Sequence, residues 1–180
     1  MKPIGPLMTE HRLIERAIVL LKEEIDHFES EKELNASMLS VLIDFLKTYS
    51  DRTHHGKEEA ILFRELAKKK LSEPHSDTME QLIRDHNYAR KTVNELQIAF
   101  HKYNAGDASS VRPMIVAVKE LVKFYPAHIQ MEDKHFFYPV LDYFTKEEQD
   151  AMLAEFWEFD RKLIHEKYEQ IVGELERETM

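Results

Sequence analysis

Cysteine is absent from the 180-residue chain. That excludes disulfides, a thiol nucleophile, thiolate-ligated zinc and ordinary iron–sulfur clusters. Glycine and proline are scarce, at four and six residues, so few elements are interrupted. No apolar run approaches the roughly 20 residues that span a bilayer. The opening stretch, MKPIGPLMTEHR, lacks the apolar core of a signal peptide. Positive charge is short as well: 25 Lys and Arg against 34 Asp and Glu leave a net charge of −9. That balance repels both nucleic-acid phosphate and an anionic membrane surface. The chain reads as a cytoplasmic protein, monomer or homodimer, with neither nucleic acid nor membrane as a partner.

What is abundant favours helix: Leu, Glu, Lys, Ala and Ile dominate. Hydrophobic spacing predicts five helices. The first carries Leu7, His11, Ile14, Ile18, Leu21, Ile25 and Phe28 at steps of three and four. The second runs from about Asn35 to Leu71, with Leu39, Ile43, Leu46, Ser50, His54 and Glu58 in line. The third opens at Asp77, with Glu80 completing a capping box, and its stripe runs from Met79 through His86 to Phe100. The fourth, from about Val111 to Phe144, aligns Met114, Val118, Leu121, Tyr125, His128, Glu132 and His135. Pro126 is expected to kink it just before His128. Thr145 and Glu148 form a second capping box, which starts a fifth helix reaching about Glu176. Short breaks between long helices make neighbours antiparallel. The fold class is therefore all-α, an up-down antiparallel four-helix bundle over about residues 7–144. An additional C-terminal helix spans about 146–176, all in one domain of residues 1–180.

One phrase occurs twice. HHGKEEAILF begins at His54 and HIQMEDKHFF at His128, and the two share His-x-x-x-Glu at an offset of 74 residues. His11, His86, His128 and Glu132 occupy stripe positions that ask for Leu or Ile. An unpaired buried carboxylate would cost several kcal/mol, so something must compensate. In antiparallel helices, residues equally far from a turn share a level. His11 and His54 lie 21 and 22 residues from residue 32, and His86 and His128 both lie 21 from residue 107. Glu58 and His86 both lie 14 residues from residue 72. Each helical hairpin thus supplies a lone His and then His-x-x-x-Glu, giving a pseudo-twofold pocket of four His and two Glu at one level. Residues four apart share a helix face, so the pattern points to metal.

Four imidazoles exceed what magnesium or calcium sites use, and six ligands are too many for one zinc. Two carboxylates placed to bridge imply two ions. Two octahedral ions offer about twelve positions; the protein and one shared oxo or hydroxo group leave about two. On His11 in TEHRLIE, His54 and Glu58 in HHGKEEAILF, His86 in RDHNYAR, and His128 and Glu132 in HIQMEDKHFFYP, the chain resembles the hemerythrin-like family of HHE cation-binding domains. The resemblance implies a bundle around a non-haem centre of two iron ions, oxo- or hydroxo-bridged, with Glu58 and Glu132 as bridges. It implies binding of dioxygen or a related small ligand, as carrier or sensor. The alternatives in the family are an oxidoreductase acting on peroxide, oxygen or nitric oxide, and an iron-handling protein.

The oxygen carriers of that family have five His, two of them four residues apart on one helix. Here Arg90 stands four after His86. His165, level with the site across the FTKEEQD turn, is the expected fifth ligand, with His135 the next candidate. His55 points about 100° from His54 and reads as an outer or surface residue. Glu15, Arg90, Tyr125 and Tyr168 are candidates to hold a ligand or a proton. His27, His75 and His101 read as exposed. A ferritin-like alternative would use Glu24 with His27 and Glu132 with His135, but the two pairs do not share a level.

Overall fold

The computed structural model describes the backbone of residues 2–178 and the side chains of residues 2–163 and of Lys167. Helix α1 (Ile4–Glu31) buries the whole first stripe and ends where Lys32 turns left-handed and donates its N–H to Phe28. Helix α2 covers residues 36–66. Its N-terminus is capped by the Asn35 side chain, which accepts from the Met38 amide. It starts as regular α-helix (Ala36–Phe45), widens into π-helix at Leu46–His55 and again at Glu58–Phe63, and closes at Arg64–Leu66. Helix α3 is Glu73–Asn104. Helix α4 covers residues 111–140, as Val111–Met131, a π-helical turn at Glu132–Phe136, and Phe137–Val140. Helix α5 is Lys146–Glu178.

Two expectations need correction. Helix α3 begins at Glu73, not Asp77, and Asp77 and Glu80 sit inside it without forming a capping box. Pro74 in the first turn explains the early start, because that position needs no intrahelical amide. In α4, regular helix continues through Pro126, and the irregularity begins at Glu132 instead. The second capping box is present. The Thr145 amide donates to Glu148 Oε2 (2.9 Å), and the Glu148 amide donates to Thr145 Oγ1 (3.3 Å).

Helix α1 packs on α2 and α4, and α3 packs on the same two, closing a ring of four; α5 lies on the π-helical stretches of α2. The interior is divided into three layers. One apolar cluster includes Leu21, Ile25, Phe28, Leu39, Leu96 and Leu121. A second includes Leu7, Leu62, Leu82, Phe136, Phe137 and Phe156, the last from α5. Between them lie the buried His and Glu residues.

Gly56, between the two π-helical stretches, is where α5 comes closest. A Cβ there would stand 2.9 Å from the Phe159 ring. Gly56→Val should lower stability by about 1–3 kcal/mol through overpacking, read as a shifted urea midpoint in metal-free protein. Adding Phe159→Ala should recover part of the loss. An unshifted midpoint in Gly56→Val would show that α5 is not seated on this glycine.

Candidate metal centre

Seven buried ligand-type side chains converge in the polar layer. His11, His54, Glu58 and Glu132 each offer an atom within 4.8 Å of the others, and His55, His86 and His128 do the same. The two groups are joined through the carboxylates. Glu58 places Oε1 3.4 Å from His54 Nε2 and Oε2 3.3 Å from His86 Nε2. Glu132 places Oε2 3.1 Å from His11 Nε2 and Oε1 3.4 Å from His128 Nε2. Each carboxylate therefore turns one oxygen to each group.

These inward atoms have no hydrogen-bond partner: both oxygens of Glu58 and of Glu132, and Nε2 of all five histidines. So many orphaned polar atoms in a dry interior would be strongly destabilising unless a ligand satisfied them. Their spacing suits a cation. Ligand atoms about 2.1 Å from an octahedral ion stand roughly 3 Å apart when adjacent. The chain's donor set, imidazole and carboxylate without thiolate, suits a first-row transition metal.

The outward nitrogens are held by a ring of carboxylates. His11 Nδ1 donates to Asp133 (2.7 Å), His54 Nδ1 to Glu10 (2.9 Å) and His86 Nδ1 to Glu59 (2.6 Å). His128 Nδ1 lies 3.5 Å from Asp85, and His55 Nδ1 3.4 Å from Asp51. The three hydrogen-bonded partners fix the tautomers of His11, His54 and His86 and aim their Nε2 atoms inward. Fully buried Lys57 ties Glu10 to Asp160 of α5. Arg90 ties Glu59 (2.8 Å) to Asp51 (2.7 Å). Glu10, Glu59 and Asp85 titrate below the usual carboxylate range. Burial opposes their ionisation, but His54, His86 and His128, with Lys57 on Glu10 and Arg90 on Glu59, outweigh it.

Most sequence-predicted residues meet here, with clear exceptions. His11, His54, Glu58, His86, His128 and Glu132 come together. His135 is exposed, because the π-helical turn starting at Glu132 rotates the stripe away from it. Glu15 faces outward and pairs with Arg12. Tyr125 is buried but donates or accepts only with Ser50 (2.9 Å) among the described residues. His165 and Tyr168 lie outside the described side chains. His75 is half-buried and bonded to Tyr143 (2.8 Å) rather than exposed. His27 and His135 are both exposed, so the ferritin-like arrangement has no imidazoles to offer.

The main omission is His55. It is buried, and its ring stacks on His86 with centroids 4.0 Å apart. The sequence reading turned it aside by assuming 100° per residue. The π-helical stretch that ends at His55 turns less per residue, so His54 and His55 both face inward. The carboxylate ring was also missed, although a signal existed. Glu10 precedes His11 as Asp85 precedes His86, and Glu59 follows Glu58 as Asp133 follows Glu132.

Burial, then the charge of Glu132, push the Glu58 carboxyl well above its usual range. Burial also lifts Glu132, but His128, His11 and His86 together hold it well below. His11 is raised to about 9, because Asp133 and Glu132 outweigh its burial. A metal ion on His11 Nε2 must therefore displace a proton at neutral pH. Apparent metal affinity should rise with pH up to about 9 and level off above it. Calorimetry in two buffers of different ionisation enthalpy should record proton release at pH 7. Zero release would contradict this charge arrangement.

A family model described as hemerythrin HHE cation binding domain matches residues 2–140. No curated protein and no solved structure matches the chain. No described helix is long and apolar enough to cross a membrane. A match over most of the chain, on a helical bundle whose interior gathers His and Glu, places this protein in the hemerythrin HHE cation-binding family.

Proposed function

We propose that the chain holds two iron ions, sharing an oxo or hydroxo group, and binds dioxygen or a related small ligand as a carrier or sensor. The observation that carries the two-ion reading is the orientation of Glu58 and Glu132, each with one oxygen toward each histidine group. His11 and His54 would hold one ion, and His55, His86 and His128 the other. His165, the ligand expected from sequence, is not required by this set. With each carboxylate counted on both sides, the His11 and His54 side has four protein ligands and the three-histidine side five, so a small ligand belongs on the His11 and His54 side. There the His11 ring stacks on Phe137 (centroids 5.6 Å apart), an apolar surrounding that suits a small neutral molecule. When bound, the iron would supply reversible redox chemistry. The protein's own residues hold the imidazoles in register and pack the two apolar clusters above and below the centre.

A second reading, an oxidoreductase at the same centre, is favoured by one feature. A cleft of about 450 Å³ between α2 and α3 reaches His55, an approach to the centre that a reductant could use and that reversible dioxygen binding on the His11 and His54 side does not need.

Metal analysis of variants tests the ligand set. Glu58→Ala and Glu132→Ala should each lose most of the metal, because each carboxylate serves both groups. His55→Ala should lower metal content toward one ion per chain. Two irons retained in all three variants would end this assignment of ligands.

Absorption spectra of the iron-loaded, reduced protein separate the two readings. A coloured species that forms with oxygen and bleaches on its removal supports a carrier or sensor. Irreversible conversion to a ferric spectrum supports the oxidoreductase, with peroxide and nitric oxide as the next substrates to assay.

A further inference from the structure

The family match ends at residue 140, and α5 lies wholly beyond it. Yet α5 enters the charge arrangement behind one histidine. Glu10 divides its two oxygens: Oε2 accepts from His54 Nδ1 (2.9 Å), and Oε1 accepts from the Lys57 ammonium. The same ammonium lies 2.8 and 3.0 Å from the two oxygens of Asp160 on α5. The Phe156 ring, also from α5, stands beside it with its centroid 6.0 Å from Lys57 Nζ. Cations behind two other orienting carboxylates reach solvent. Arg12, on Asp133 behind His11, is 55% exposed, and Arg90, on Glu59 behind His86, is 33% exposed. Lys57 is 0% exposed. A charge so far from water interacts strongly with its neighbours, and taking one partner from a buried ion pair leaves a costly uncompensated charge.

We propose that Lys57 and Asp160 are positioning residues for the ion on the His11 and His54 side, which makes α5 a working part of the centre. The pair acts through Glu10. Asp160 shares the ammonium with Glu10, so Glu10 is held in place while keeping negative charge for the His54 N–H. Glu10 in turn fixes the His54 tautomer and aims Nε2 at the ion. The three-histidine side is supported differently. Among the described residues, Asp51 and Glu59 are held by Arg90, and Asp85 accepts from Gln81 (2.7 Å), both on α3. Loss of the Lys57–Asp160 pair should therefore fall on one ion and spare the other. This assignment rests on the two-ion reading above.

Titration of the full-length, metal-free chain with cobalt(II), followed by visible absorption and calorimetry, tests this. The wild type should take up two ions, the weaker on the His11 and His54 side, where protein ligands are fewer. Lys57→Met and Asp160→Asn should each weaken the second ion about tenfold or more and leave the first within about threefold. Phe159→Ala is the control. It removes the α5 contact over Gly56 without touching the Lys57 chain, so it should lower the urea midpoint and leave both metal affinities unchanged. Asp160 is 39% exposed, so Asp160→Asn carries the test if circular dichroism shows that Lys57→Met fails to fold. Unchanged affinity for the second ion in folded Asp160→Asn, equal weakening of both ions, or the same loss in Phe159→Ala would overturn the assignment. Fewer than two ions in the wild-type chain would end the two-ion reading, and this assignment with it.

Discussion

Two carboxylates stand fully buried at the centre of the bundle, with no Lys or Arg paired to either among the described residues. Glu58 and Glu132 are fully buried, and a buried charge without compensation is costly enough to unmake a marginally stable domain. The surroundings answer that constraint in two layers. Four imidazoles, His11, His54, His86 and His128, lie against the carboxylates, and Asp133, Glu10 and Glu59 hydrogen-bond three of them from behind. The pattern of charge alternates outward from the centre, which leaves the innermost atoms aimed at a cation that supplies the missing positive charge.

That alternation also explains the helix geometry. Both copies of His-x-x-x-Glu turn π-helical at their Glu: Glu58–Phe63 in one and Glu132–Phe136 in the other. Single π-helical turns often mark functional sites, because the widened turn re-aims side chains at the expense of regular hydrogen bonding. The first copy carries an additional π-helical stretch, Leu46–His55, and there the twofold likeness breaks. The counterpart of His55 at the 74-residue offset is Ile129, which is buried in the apolar core. One side of the site therefore has three imidazoles and the other two. The asymmetry between the two sides arises from this single pair of residues.

The fifth helix is joined to the centre rather than merely laid against it. Asp160 reaches buried Lys57, Lys57 reaches Glu10, and Glu10 holds His54. Gly56 permits the approach that brings Phe159 and Asp160 close. On the opposite flank of α2, Arg90 plays the corresponding part for His86 and His55 from α3. Each half of the site thus has one cation that fixes the orienting carboxylates, Lys57 on α2 for Glu10 and Arg90 on α3 for Glu59 and Asp51.

The sequence by itself determined the helical class, the apolar stripes and six of the inward residues. Those depend on periodicity along one chain, and on equal distances from short turns. The repeat His-x-x-x-Glu was visible for the same reason: ligands on one helix face keep a fixed spacing. The tertiary structure alone brought His55 beside His86 and His128. His55 and His135 differ from expectation because local winding departs from 3.6 residues per turn, and winding is imposed by packing around the buried carboxylates rather than by the residues' own preferences. It also decided the cross-chain partners, Asp133 with His11, Glu59 with His86, Lys57 with Asp160, and the cleft at His55. Contacts between residues far apart in sequence leave no periodic trace, so only the folded chain brings them into view.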